Sequence, residues 1–160
     1  NLHIEYPALP TYEEAFMELL ASYLQKAGFE VNITKLDDAG ISEFGFASKH
    51  NILNMGWISR DPAVLSYVYD SENIEGGNQS SYTRFRSDRL DEILRTAPQT
   101  IDEEARKALY QEAQMIIMEN AIALPIHCYG SVYLADSNIA GFRFDPEGFP
   151  YLYEISITAE

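Results

Sequence analysis

Trp57, Ser59, Arg60 and Asp61 are the residues of this chain best suited to meeting a ligand. Trp57 is the only tryptophan, and it follows an apolar run, Ile52 to Met55, that stops at Gly56. An indole buries the apolar part of a small molecule over a large area, and stacking on another ring adds about 0.5–1.5 kcal/mol. Arg60 offers a planar fork of N–H donors that matches a carboxylate. Asn54, Asn78 and Tyr82 can add directional hydrogen bonds. The competing reading is structural: Trp57 fills the core, Arg60 reaches to solvent, and Asp61 caps a helix that begins near Pro62.

Other constellations are weaker. The phosphate-loop and dinucleotide glycine patterns are absent, as is a Gly-x-Ser-x-Gly elbow. His127 and Cys128 are adjacent, and neighbours on a strand point to opposite faces, so they cannot work as a dyad. Ile126 and Tyr129 suggest a buried Cys128 thiol. His3, His50 and His127 lack the spacing of a zinc site. Asp37-Asp38 follows a predicted strand and reads as a helix cap rather than a cation site. The expectation is binding without catalysis, with no metal and no cofactor. The alternative is a small α/β enzyme at the same sheet edge, for which only Asp61 and Ser59 near Trp57 could serve as base or nucleophile.

Bulk properties narrow the partners. The formal charge is −14, and the 11 Lys and Arg residues are scattered among 25 acids, so no nucleic-acid footprint forms. At 160 residues with 46% hydrophobic content, the chain is long enough to bury one sizeable core. A lone cysteine excludes an internal disulfide, and no apolar run reaches the length of a membrane span. The chain begins at Asn1 without a signal peptide, which reads as a processed product or a cut fragment.

The elements that must position Trp57 follow from periodicity. Residues 2–6 alternate as a strand. Thr11 with Glu14 has capping-box spacing, and Phe16, Leu19, Leu20, Tyr23, Leu24 and Ala27 mark one helix face that ends at Gly28. A second strand carries Phe29, Val31, Ile33 and Leu36, so the opening is a parallel strand–helix–strand unit. A short helix or loop over 37–49 precedes a predicted strand at 52–58 and a helix at 61–69. Residues 70–83 form one long loop. Ser87 caps a helix carrying Leu90, Ile93 and Leu94. Thr100 with Glu103 opens the longest helix, about 101–120, with Ala105, Leu109, Ala113, Ile116 and Ile117 inward. Residues 122–134 are apolar and β-prone, and short extended pieces finish the chain. The order predicts an α/β sandwich.

Several of these segments together resemble a known family. Gly56-Trp57, Asp61-Pro62, the stretch from Asn78 to Tyr82, Ser87 to Asp91, Asp102 to Arg106 with Leu109 to Gln114, and Ala123 to Ile126 follow one another as in extracytoplasmic solute-binding proteins of ABC transporters, family 5. These are the oligopeptide-, dipeptide- and nickel-binding proteins. The resemblance implies a C-terminal lobe of periplasmic-binding-protein type II-like fold, with a mixed, mostly parallel sheet flanked by helices. It places the lobe at residues 1–135 and a tail returning toward a missing N-terminal lobe at 136–160. It also implies a peptide or small polar solute as ligand, permease subunits as partners, and an extracytoplasmic site, periplasmic or lipid-anchored. In peptide-binding members an Asp three residues after the Trp grips the ligand's ammonium group. Here that position is Arg60, with Asp61 one later, and Asn54 stands three before Trp57 where some members are basic. A guanidinium there suggests an anionic or polar ligand.

Overall fold

A computed structural model describes residues 2–8, 14–57, 59–76, 80–126, 128 and 132–158. The opening crossover unit is present. β1 (Leu2–Ala8) and β2 (Phe29–Lys35) pair in parallel, with Leu2 opposite Phe29 and Ala8 opposite Lys35. Between them runs α1 (Glu14–Lys26), which stops at Gly28, where φ is +96°, a conformation that costs glycine little. Thr11, the expected cap, lies outside the described residues. The buried stripe of α1 is narrower than its periodicity predicts. Met17 and Ala21 are buried, whereas Leu19 and Tyr23 face solvent. Two strands offer a helix a narrow floor, and Met17 fills it against Phe16, Leu20, Ile33 and Ile52.

α2 (Asp38–Phe46) is capped by Asp37, whose Oδ1 accepts from the Gly40 N–H at 2.8 Å. The run at 52–58 departs from expectation. Residues 52–57 carry no regular structure, the described strands do not pair with them, and Ile58 is outside the described residues. An apolar run becomes a strand only where a neighbour pairs its backbone N–H and C=O groups. Ile52 packs on Met17. The β-prone stretch at 122–134 shows the same outcome: its described residues form no strand, and Cys128 is exposed rather than buried, beside exposed Leu124 and Ile126.

A helical layer follows: α3 (Val64–Tyr69), a 3-10 turn (Ser71–Gly76), α4 (Ser80–Thr83), α5 (Asp88–Thr96) and α6 (Glu103–Glu119). The predicted helix at 61–69 begins three residues later, and the predicted loop at 70–83 is helical wherever it is described beyond Asp70. Ser87 caps α5 as expected, its Oγ accepting from the Leu90 N–H at 3.3 Å. Asp102, not Thr100, caps α6, accepting from the Ala105 N–H at 2.7 Å, while the Thr100 hydroxyl turns back to the Thr96 carbonyl.

The core lies between these last helices. Leu90, Ile93 and Leu94 pack with Ala113 and Ile117, and Leu65, Tyr69 and Phe85 close around them. Ala105 is exposed, and Tyr110 takes the inward place on α6. The 3-10 turn is clasped to α5 by charge. Arg95 donates to Asp70 at 2.9 and 3.2 Å, and Asp91 accepts from the Ser71 N–H and hydroxyl at 2.9 and 2.5 Å. Burial pushes the Asp70 carboxyl up, but the Arg95 guanidinium and the Glu72 N–H outweigh it and hold it below the usual carboxylate value. Near the C-terminus, β3 (Ile139–Ala140) and β4 (Ser156–Ile157) pair antiparallel.

The α5–α6 seam sets the stability of the helical layer. Leu94→Ala is expected to cost about 2–5 kcal/mol in urea unfolding. Ile101→Ala, at a position 95% exposed, is expected to stay within about 0.5 kcal/mol. Equal losses at the two positions would place the core elsewhere.

Candidate functional site

Trp57 is 45% exposed, which removes it from the core. Its ring meets Tyr67 of α3 edge-on, with centroids 5.0 Å apart and planes at 71°. Such a T-shaped pair holds each ring while leaving indole surface open to solvent. Tyr67 was not among the residues singled out from the sequence. Its signal was there: it follows Trp57 by ten residues on a helix that starts just behind it.

The turn after Trp57 is organised by Asp61. Its Oδ1 accepts from the Ala63 N–H at 2.9 Å, and its carbonyl accepts from the Val64 N–H at 3.1 Å. Ser59 Oγ accepts from the Asp61 N–H at 3.2 Å. Asp61 therefore does the capping work of the structural reading, although the helix proper begins at Val64. Its charge reaches α6. Burial is the larger cause of the raised pKa of the Tyr110 phenol, and the Asp61 carboxylate adds to it against Arg106. Arg60 is exposed, and its backbone N–H donates to Glu147 Oε1 at 3.4 Å. Glu147 is another residue the sequence reading missed, because 87 residues separate the two.

The remaining expected site residues are placed differently. Asn54 is half-buried in the irregular segment before Trp57. Asn78 lies outside the described residues. Tyr82 packs on α2: its ring sits 4.9 Å from the Phe46 ring and directly over Gly45, where an added Cβ would come within 2.7 Å of it. The Tyr82 carbonyl accepts from His50 Nε2–H at 3.0 Å, which fixes the neutral tautomer of that ring. Tyr82 is thus a packing residue of the α2–α4 contact. The structure brings Trp57, Arg60 and Asp61 onto one exposed turn and adds Tyr67 and Glu147. Surface concavities also lie along α5 beside Arg95, of about 490 Å³, and beside the stacked Tyr133 and Phe144 rings, of about 500 Å³. Among the described residues, no group of three or more His, Cys, Asp or Glu side chains is placed to hold a metal ion, and no helix is long and apolar enough to cross a membrane.

The murein tripeptide binding protein MppA of Escherichia coli matches 99% of this chain with a TM-score of 0.80, at 18% sequence identity and over 31% of its own length. The chain has the fold of a periplasmic-binding-protein type II-like lobe. Its sequence is 29% identical over 132 residues to the di/tripeptide-binding protein 2 of Pseudomonas aeruginosa, covering 81% of this chain and 24% of that protein. It is also 28% identical over 149 residues to the probable deoxycholate-binding periplasmic protein YgiS of Escherichia coli, covering 92% of this chain and 27% of that one. The chain spans about a quarter of the length of these curated relatives. No protein-family model matches it. The resemblance read from the sequence holds: the lobe is similar to those of peptide-type solute-binding proteins, whose names are those of substrate-binding proteins rather than enzymes.

The α2–α4 contact carries a pH dependence. Burial lowers the His50 pKa below the ordinary 6.5, and the Tyr82 and Phe44 carbonyls oppose it only in part. The unfolded chain therefore protonates first as pH falls. His50 makes its full contribution to stability above about pH 6.5, and that contribution is lost as pH drops from there through the lower folded pKa. An NMR titration of the His50 ring is expected to show a midpoint below 6.5, and His50→Gln is expected to flatten the stability profile in that window. A midpoint at or above 6.5 contradicts a desolvated ring.

Proposed function

We propose that this chain is the ligand-binding lobe of a receptor for an ABC importer, and that it captures a peptide or other small polar solute. It makes and breaks no bonds. The lobe occupies residues 1–135, and 136–160 form a tail directed toward a second, N-terminal lobe of the same polypeptide. The observation that carries the reading is the half-exposed indole of Trp57, braced by Tyr67 and followed at once by exposed Arg60. Relatives named for di- and tripeptides, and one named for deoxycholate, support a ligand that combines an apolar part with a charged or polar group.

Trp57 and Tyr67 form an aromatic wall for the apolar part. Arg60, standing where peptide binders of the resembled family carry an acid, pairs its guanidinium with a carboxylate or another acceptor. Asn54, Asn78 and Tyr82 are the further hydrogen-bonding candidates, with Tyr82 the least available because its ring is packed on α2. Closure of two lobes on the ligand is favoured by contacts that exist only when both surfaces reach it. Delivery goes to permease subunits in the membrane, from a receptor that is periplasmic or lipid-anchored outside the cytoplasm. Relatives named for binding peptides support this reading over the enzyme alternative.

Calorimetric titration of di- and tripeptides into a two-lobe polypeptide containing this chain tests the reading. Trp57→Ala and Arg60→Ala are each expected to weaken binding about tenfold, or ~1.4 kcal/mol. The 160-residue chain alone is expected to bind far more weakly, since half the contacts are missing. Undiminished affinity in both variants would overturn the assignment of the site.

A further inference from the structure

The tail does more than lead away from the lobe. We infer that Glu147 is a positioning residue for the Trp57 wall, and that the turn around it straps the Ser59–Asp61 turn behind Trp57 in place. The use of this strap in ligand capture rests on the receptor reading; the strap itself does not.

Both ends of the strap are visible. At one end the turn is built by Asp145, whose Oδ1 accepts from the Glu147 N–H at 2.8 Å and the Phe149 N–H at 2.9 Å. The Asp145 N–H donates to the Phe149 carbonyl at 2.8 Å, the Gly148 N–H donates to the Asp145 carbonyl at 3.0 Å, and Phe144 bridges to Pro150. Tyr133 holds the turn from behind: its hydroxyl donates to the Gly148 carbonyl at 2.5 Å, and its ring stacks on Phe144 at 4.0 Å. Glu147 thus projects from a rigid base. At the other end, the Glu147 carboxylate accepts from the Arg60 N–H within the Ser59–Asp61 turn. The residues leading into that turn, 52–57, carry no regular structure, so a bond from outside has more influence over their position than it would over a strand. At 3.4 Å and in an exposed position the bond is long, so it is a weak contact.

Trp57 reports on this directly, being the only tryptophan of the chain. In the 160-residue chain, Glu147→Ala is expected to shift Trp57 emission to the red and to increase quenching by acrylamide, with far-ultraviolet circular dichroism and the melting midpoint unchanged. Glu147→Gln keeps an amide oxygen that accepts the same N–H and is expected to stay near the original spectrum. Asp145→Ala, which dismantles the base of the turn, is expected to follow Glu147→Ala. Emission unmoved by Glu147→Ala overturns the proposal, as does a drop in melting midpoint that accompanies every change in emission. A Gln variant that behaves like the Ala variant also overturns it, because charge rather than the hydrogen bond would then be responsible. If Trp57→Ala weakens peptide binding while Glu147→Ala leaves the emission alone, the strap fails and the receptor reading stands.

Discussion

Two buried carboxylates, Asp70 and Asp91, govern the helical half of this molecule. A charge taken out of water needs a partner, and removing a partner from such a group leaves a penalty of several kcal/mol. Asp70 obtains its partner from Arg95, one turn beyond Asp91 on the same helix, and Asp91 obtains its own from the backbone and hydroxyl of Ser71. Together they tie the 3-10 turn to α5 from both sides. With that turn held, α3 lies against α5, and α5 presents Leu90, Ile93 and Leu94 to α6. Arg95 remains about half exposed, so its contribution is screened by water and is smaller than a fully buried pair would give.

The aromatic wall depends on this arrangement. Tyr67 belongs to α3, and α3 is placed by its contacts with α5, so the ring that braces Trp57 is set by the core. Trp57 itself comes from a segment without strand pairing, anchored on one side by Ile52 in the small α1–β2 core. The proposed wall therefore joins a ring placed by the helical core to one that follows a segment held on the α1–β2 core.

Local features read well from the chain. The Ser87 and Asp37 caps, the stop at Gly28, the parallel crossover of β1 and β2, and the Leu90–Ile93–Leu94 stripe are all written in residues close to one another in sequence. Trp57, Arg60 and Asp61 were legible for the same reason: they are near neighbours. The misreadings share a different cause. The run at 52–58 has the composition of a strand, but composition cannot supply the neighbour that a ladder requires. Leu19 and Tyr23 lie on the predicted face of α1, yet the width of the sheet beneath decides how much of that face is covered. Tyr82 stays a hydrogen-bonding candidate, and its packing over Gly45 of α2 is what the local sequence did not carry.

By itself, then, the amino-acid sequence determined α1, α5 and α6, the Asp37 and Ser87 caps, the kind of lobe and the turn on which ligand contacts are expected, because each of these follows from spacing within a few residues. Tertiary structure alone decided that Trp57 stands half out of the core against Tyr67, and that Glu147 reaches Arg60 from the far end of the chain. The physical reason is that pairing, burial and hydrogen bonding between distant segments depend on which surfaces meet, and no local pattern carries that information.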